Sequence, residues 1–339
     1  MNKQLKPLIL ICSISKDLHA KEVIKHLDSL KIDSIFLKTD RLSPSTGIHV
    51  DSSNNSTYFI CKSGKTIPIE NFSAIWNRKP FVPKDTHREV SVEQKNAIDF
   101  KHNEMRSLVS SMLLTAKRLN IFTLNGLGEN YSSKHKIEQL HLAKNIGFNI
   151  PDTIVSSNPK RISEFLKKHK GTCIIKNMGD QPSISRNQYS DMMTKEIELD
   201  YFNKYYVNKT LDYPILIQEK IKKKYELRIT IIGNKIFPCS IDSQKHQESS
   251  IDWRWIPTKL MTHKIVKLPK TIENYCFRLC KRCHLQYGAI DMAVTPDDKY
   301  IFFEINPGGQ YLWIEEMTKA PLSQAMANLL SNPRKYALE

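Results

Sequence analysis

Two periodicities alternate along the chain. Leu8 to Ser13 is an unbroken apolar run, short enough for a buried strand. Asp17 offers an N-cap for a helix to about Leu30, with Val23, Ile24, Leu27 and Leu30 on one face. Asp33 to Lys38 is a second strand, so the chain opens β-α-β, the start of an α/β domain. Thr57 to Ile69 reads as a hairpin turning at Ser63-Gly64, and Phe72 to Pro80 as a strand with a basic tip. Glu89 to Leu119 is a long helical stretch whose apolar stripe is Phe100, Met105, Leu108, Val109 and Met112. Ile121 to Leu124 returns as a strand. Between Asn120 and Asn130 the composition shifts to Gly and Asn, which marks a domain boundary.

The second part starts with a helix in Ser132 to Ile150, with Ile137, Leu140 and Ala143 inward and Gly147 as its stop. Strand Thr153 to Ser156 follows, then a helix from Pro159 to Lys168 capped by Ser157 or Asn158. Thr172 to Asn177 is a buried strand carrying Lys176, and a lysine in an apolar strand is costly unless an anion meets it. Gly179 to Met193 is polar and reads as a solvated loop. Strands follow at Pro214 to Ile221, Tyr225 to Gly233 and Lys235 to Asp242, and helices at Thr271 to Leu285 and Pro321 to Leu330. In Tyr225 to Gly233, alternation puts Glu226 and Arg228 on one face and Leu227, Ile229 and Ile231 on the other.

Tyr287 to Glu315 organises the rest. Gly288 to Thr295 reads as a strand, Pro296-Asp297-Asp298 as a turn, and Lys299 to Ile305 as the returning strand. Ile290, Met292 and Val294 share one face and Asp291 takes the other. On the second strand strict alternation sends Phe303 and Ile305 one way and Phe302, Glu304 and Asn306 the other. Asp291, Glu304 and Asn306 then form one polar cluster. Two carboxylates and an amide oxygen are hard ligands suited to Mg²⁺ bridging phosphates.

Composition narrows the class. The 339 residues are enough for two or three domains, and 25% charged with 40% hydrophobic residues is a globular balance. No apolar run is long enough to span a membrane, and the N-terminus lacks a signal-peptide cleavage pattern, so a cytoplasmic protein is expected. Seven cysteines, an odd number, fit reduced thiols. Cys276, Cys280 and Cys283 fall on one helix face and read as core. The net charge of +16 favours anionic partners. The basic residues are spread rather than gathered into an arm, so a nucleotide with an acidic peptide suits them as well as nucleic acid does. There is no G-x-G-x-x-G, H-E-x-x-H or G-x-S-x-G, and Gly64-Lys65-Thr66 lacks the upstream glycine of a P-loop.

The Asp291…Glu304-Ile-Asn-Pro stretch resembles the metal-binding signature of the ATP-grasp superfamily. The longer run from Glu304 to Glu315 looks like the ATP-grasp peptide maturases that make microviridin-type graspetides. Tyr225 to Gly233 and Asp252-Trp253-Arg254 carry the same resemblance, which spans nearly the whole chain and is weakest before residue 70. Trp76-Asn77-Arg78-Lys79-Pro80 matches the family's Trp-x-Arg-Arg-Pro tip in part, and Trp255 stands where the family more often has a second arginine.

The resemblance implies an α/β (α+β) ATP-grasp fold. An N-terminal α/β pre-ATP-grasp domain (1–120) precedes a central subdomain (121–213) and a C-terminal subdomain with the Mg-binding hairpin (214–339), and the last two sandwich ATP. It assigns Lys136 and Lys176 to the nucleotide phosphates, with Lys134 a rival for the first. Gln218, and the backbone of Glu219 and Ile221, would meet the nucleotide at the adenine hinge, and Glu226 the ribose hydroxyls. Asn306 would serve the nucleotide and, with Asp291 and Glu304, two Mg²⁺ ions. Arg228 would meet the transferring phosphoryl group, and Arg254 an anionic carboxylate or acyl phosphate.

Transfer of the γ-phosphoryl group of ATP to a carboxylate gives an acyl phosphate that a hydroxyl or amine attacks, and such transfer needs cations rather than a protein nucleophile. The implied substrate is a ribosomal precursor peptide with a leader and an acidic, Thr/Ser-rich core. The links are side-chain esters, or amides where lysine attacks. A homodimer is implied, and no membrane. Two other readings stay open: a RimK-like ligase adding amino acids to a protein or small molecule, and a non-catalytic basic protein binding nucleic acid or peptide.

Overall fold

In the computed structural model, Leu8–Ser13 (β1) and Asp33–Lys38 (β2) pair in parallel on either side of the helix Leu18–Ser29 (α1). Asp17 starts that helix by accepting the His19 N–H at 2.9 Å. The structure describes residues 6–41, 47–51, 53–54, 56–60, 64–79, 91–126, 135–178 and 194–339. Lys134, Ser63, Pro80 and the Gly179 to Met193 loop lie outside them, as does part of the expected Asn120 to Asn130 boundary.

Gly47–Asp51 (β3), Ser56–Ile60 (β4) and Thr66–Pro68 (β5) form a small antiparallel sheet. The last two are the expected hairpin. The first is a strand that its polar-rich pattern did not announce. Ala74–Lys79 (β6) and Phe122–Leu124 (β7) complete a parallel sheet of order β2-β1-β6-β7. The long helix Val92–Arg118 (α2) begins in a Ser91/Gln94 capping box. Its C-terminal half packs on the sheet, through Val109, Met112, Leu113 and Ala116. Phe100, expected in the apolar stripe, is instead 65% exposed, because the first turns of α2 run clear of that packed half.

Lys136–Ile146 (α3) ends at Gly147, whose φ of 117° only glycine tolerates readily. Next come Thr153–Ser156 (β8), Pro159–Lys168 (α4), Thr172–Lys176 (β9), Lys195–Glu198 (β10), Leu199–Tyr205 (α5) and Ile215–Glu219 (β11). The strands make an antiparallel sheet of order β10-β9-β11-β8. Asn158 is the cap of α4. This lobe has its own small core of Ile162, Leu166, Cys173, Ile197, Phe202 and Ile217.

Tyr225–Ile232 (β12), Lys235–Ile241 (β13), His263–Ile265 (β14), Tyr287–Val294 (β15) and Tyr300–Asn306 (β16) form an antiparallel sheet of order β14-β13-β12-β15-β16. Lys270–Arg282 (α6) and α3 cover one face, and Leu140 and Ala143 share a core with Leu227, Ile290 and Met292. Cys276, Cys280 and Cys283 are buried in that same core, as their spacing predicts, and burial pushes the Cys276 and Cys280 thiols well up. Leu312–Thr318 (α7), Leu322–Ser331 (α8) and Pro333–Tyr336 (α9) close the chain. α8 packs on α1, so the first β-α-β unit and the C-terminal helices share one core. No helix among the described residues is long and apolar enough to cross a membrane.

The β15–β16 hairpin departs from strict alternation. Asp291 faces Glu304, but Met292 faces Phe302, so Phe303 is an extra residue in a β-bulge. The bulge resets the faces. Phe302 and Ile305 both enter the core, and Phe303 turns outward beside Glu304. The expected pairing of Phe303 with Ile305 and of Phe302 with Glu304 is therefore corrected by one inserted residue.

Candidate active site

A cleft of about 720 Å³ opens between the β8–β11 lobe and the five-stranded sheet. β9 and β11 supply Lys176, Gln218 and Glu219 from one side, and β12, β15 and β16 supply Glu226, Asp291, Phe303 and Glu304 from the other. The first residue of α3, Lys136, the segment after β11 with Ile221, and the turn bearing Asp252 and Arg254 complete the wall. Segments more than a hundred residues apart thus deliver the sequence-predicted nucleotide residues to one place. Neither Arg228 nor Asn306 lines the cleft: Arg228 is buried beside Asp291, and Asn306, exposed at the end of β16, is not gathered with Asp291 and Glu304 there as expected.

At the floor, Asp291 and Glu304 are direct cross-strand partners. Arg228 Nη1 donates to both oxygens of Asp291, at 2.8 and 2.7 Å, and Lys136 Nζ lies 3.5 Å from Glu304. Burial raises Asp291, and the Glu304 charge adds to that while Arg228 opposes it. Burial would raise Glu304 too, but Lys136, Arg254 and Lys176 together hold its carboxyl below the ordinary value. Arg228 Nε is buried without a partner. A buried guanidinium with a spare donor is suited to added negative charge.

Lys176 Nζ donates to Gln218 Oε1 at 2.9 Å and sits 4.9 Å from the centre of the Phe303 ring. Burial lowers its pKa to about 8, although Glu304 pulls the other way. The Glu219 N–H is taken by Asp152 O at 2.8 Å, which leaves only the rest of the Glu219–Ile221 backbone for an adenine edge. Glu226 is buried, which raises its pKa, and it accepts from Lys223 Nζ at 2.8 Å. Lys223 has its own second bond, to Ile251 O at 2.9 Å. Sequence reasoning misses Lys223; its place three residues before Glu226 is the available signal.

Asp252 caps its own 3₁₀ turn by accepting the Arg254 N–H, and also accepts from Arg254 Nε at 2.8 Å. This bond to Asp252 raises Arg254 well above the usual guanidinium value. The Trp253 and Trp313 rings lie 5.1 Å apart, and the His263 ring meets Trp313 edge-on at 5.2 Å. That contact joins the Asp252-Trp253-Arg254 turn to α7. Asn306 Oδ1 accepts the Gly308 N–H at 2.9 Å. Among the described residues no three His, Cys, Asp or Glu side chains form a metal cage. Two facing carboxylates fit Mg²⁺, which takes one or two carboxylates and draws its remaining ligands from phosphate and water.

No family model matches the chain. Among curated proteins, an uncharacterized protein of Methanocaldococcus jannaschii, MJ0776, is 28% identical over 218 residues, 64% of this chain. The match spans about half of that relative, 49% of its length. Among solved structures, the Chryseobacterium gregarium RiPP-associated ATP-grasp ligase in complex with ADP and a leader and core peptide superposes with a TM-score of 0.80. It is 26% identical, over 96% of this chain and 97% of that one. The macrocyclase MdnC of Microcystis aeruginosa, bound with the precursor peptide MdnA, gives a TM-score of 0.74 at 28% identity. Here 96% of this chain and 99% of that one are covered. Fold, cleft and likeness over almost the whole length converge: the chain has the ATP-grasp ligase fold and is similar to ATP-grasp ligases solved with ribosomal precursor peptides.

Proposed function

We propose that the chain is an ATP-dependent macrocyclase acting on a ribosomal precursor peptide with a leader and an acidic, Thr/Ser-rich core. An Asp or Glu carboxylate of the core attacks the γ-phosphorus of ATP, ADP leaves, and an acyl phosphate forms. A Thr or Ser hydroxyl then attacks the acyl carbon and phosphate leaves, closing an ester ring; a lysine amine would close an amide. Each link removes one water from the peptide.

The observation that carries this reading is the sorting of charge in the cleft. Lys136, Lys176 and Arg254 converge on the Glu304 side, and Arg228 backs Asp291. In this reading Lys176 and Lys136 hold the phosphates, Arg228 meets charge developing on the transferred group, and Arg254 holds the acceptor carboxylate. Lys223 keeps Glu226 fixed for the ribose hydroxyls. The backbone after β11 and the Gln218 side chain frame the base. Mg²⁺, as two ions on Asp291, Glu304 and Asn306, would neutralise the phosphates and keep them in line. The chain would work as a homodimer in the cytoplasm, its pre-ATP-grasp part being 1–120 and its nucleotide-binding parts 121–213 and 214–339.

The test is intact-mass analysis of a peptide with a leader and an acidic, Thr/Ser-rich core, after incubation with the protein, Mg²⁺ and ATP. Loss of one water per link, with the links opened by mild base, is the expected result. No mass change, with ATP bound and free amino acids consumed instead, would refute the macrocyclase.

A further inference from the structure

The loop after β16, residues 307–312, leaves the active site wrapped in side chains from elsewhere. Pro307 O accepts from Asn125 Nδ2 at 2.6 Å, Gly308 O from Arg78 Nη1 at 2.7 Å, and Gly309 O from the Tyr287 hydroxyl at 2.7 Å. The Tyr311 and Leu312 N–H groups both donate to His19 Nε2, at 3.0 and 3.3 Å. An Nε2 that accepts carries no proton, so the proton of His19 is on Nδ1. Nδ1 lies 3.5 Å from Asp17 Oδ1. Arg78 Nε lies 3.7 Å from Asp17 Oδ2, which also accepts the Ser13 hydroxyl at 2.6 Å. Burial alone would raise Asp17; His19, Ser13 and Arg78 outweigh it and hold the carboxyl well below the usual range.

The place of this set in the fold is telling. Ser13 ends β1, Asp17 lies just after it, and Arg78 is near the end of β6. β2 flanks β1 on one side and β6 on the other, so the chain reverses direction across the sheet there. Open α/β sheets take ligands in that crevice, outside the carboxyl ends of the strands. Here the crevice holds the chain's own 307–312 loop. At the other side of the loop, Gly309 presses on the active site: a Cβ there would lie 2.7 Å from Arg228 Nη2 and 2.6 Å from Ala289 Cβ.

We propose that Arg78 and His19, seated by Asp17, are positioning residues for phosphoryl transfer. They pin the 307–312 loop against Arg228, so its guanidinium stays on Asp291 beside Glu304 as charge develops. The assignment rests on the reaction proposed above. A pure tie between the N-terminal unit and the rest could be apolar. Arg78, with 3% of its side chain exposed, is a buried charge spent on a carbonyl of this loop. That cost is explained if the loop's placement matters.

The experiment compares His19→Ala with His19→Gln, whose amide oxygen can accept, and Arg78→Ala with Arg78→Lys. Amide hydrogen exchange over 308–312, kcat, and KM for ATP are measured on the full chain. His19→Ala should speed exchange of Tyr311 and Leu312 and lower kcat, each about tenfold or more, with KM for ATP changed less than about threefold. His19→Gln and Arg78→Lys should recover most of both. Parent-like kcat in both alanine variants, or lost kcat with unchanged exchange, would overturn the proposal. If the parent binds MgATP but modifies no peptide, the macrocyclase reading fails. The clamp is then judged on exchange, and unchanged exchange in His19→Ala removes it.

Discussion

Glu304 is the residue on which the charge of the cleft converges, with Lys136, Lys176 and Arg254 all lowering its pKa against burial. Replacing it by glutamine keeps the shape and removes the charge. Glu304→Gln should lower ATP-dependent peptide modification about a hundredfold or more while circular dichroism and melting stay near those of the parent. Near-parental turnover would remove Glu304 from the metal assignment. Lys176 makes a second, independent prediction. Its pKa of about 8 in the free protein means that it is charged below that pH and neutral above it. Phosphate binding needs the charged form, so MgATP affinity should fall as pH rises through 8, by about tenfold between pH 7 and pH 9. Lys176→Arg stays charged at both and should flatten the profile in calorimetric titrations. A parent profile that is already flat would contradict the phosphate role.

Asp291, Glu304 and Lys176 were legible in the sequence for one reason. Each is a charged residue inside a run that should be apolar, and burial makes such residues costly. Phe303 was illegible for the converse reason. A bulge adds a residue without changing composition, and a period of two cannot report a register slip. The element scale therefore offers a clean test of the corrected faces. Phe302 is fully buried among Ile290, Met292 and Ile305, so Phe302→Ala should cost about 3–5 kcal/mol of unfolding free energy. Phe303 lies beside Lys176 at the cleft. Phe303→Ala should leave denaturant unfolding nearly unchanged and weaken MgATP binding instead. The reverse pattern would restore strict alternation. Other failures of the pattern have similar causes. Phe100 belongs to a regular stripe, but amphipathicity cannot say which turns of α2 find a partner. Arg78 reads as an exposed basic tip because its two partners, Asp17 and Gly308, are 61 and 230 positions away.

At the scale of the molecule, the distribution of apolar cores says more than the boundaries of sequence segments. The first β-α-β unit shares a core with α7 and α8. α3, although it precedes β8 in the chain, shares a core with β12, β15 and α6. Gln139 on α3 reinforces that attachment, exchanging two hydrogen bonds with the Ile305 backbone at 3.1 and 2.9 Å. The lobe formed by β8–β11, α4 and α5 has a separate core of its own among the described residues. On this basis nucleotide binding should slow amide exchange across the lobe and the cleft edge, while the 307–312 loop, already braced, changes little. Equal protection everywhere would contradict that division.

Asn125 draws the mechanical conclusion. Its side chain accepts from Tyr287 N–H at 3.1 Å and donates to Tyr287 O at 2.9 Å and Pro307 O. It is a rivet from the parallel sheet into the β15–β16 hairpin. The two sides of the proposed nucleotide cleft are thus unequal: an anvil, cross-bolted through Asn125, Arg78 and His19, and a hammer hung on the chain near residues 150–153 and 219–224. A substrate peptide that has to be modified at several side chains in turn needs a release between rounds. If the proposed reaction holds, a jaw with its own core could swing open without loosening the proposed metal-binding floor, so each new round would begin with the charges around Glu304 already in place.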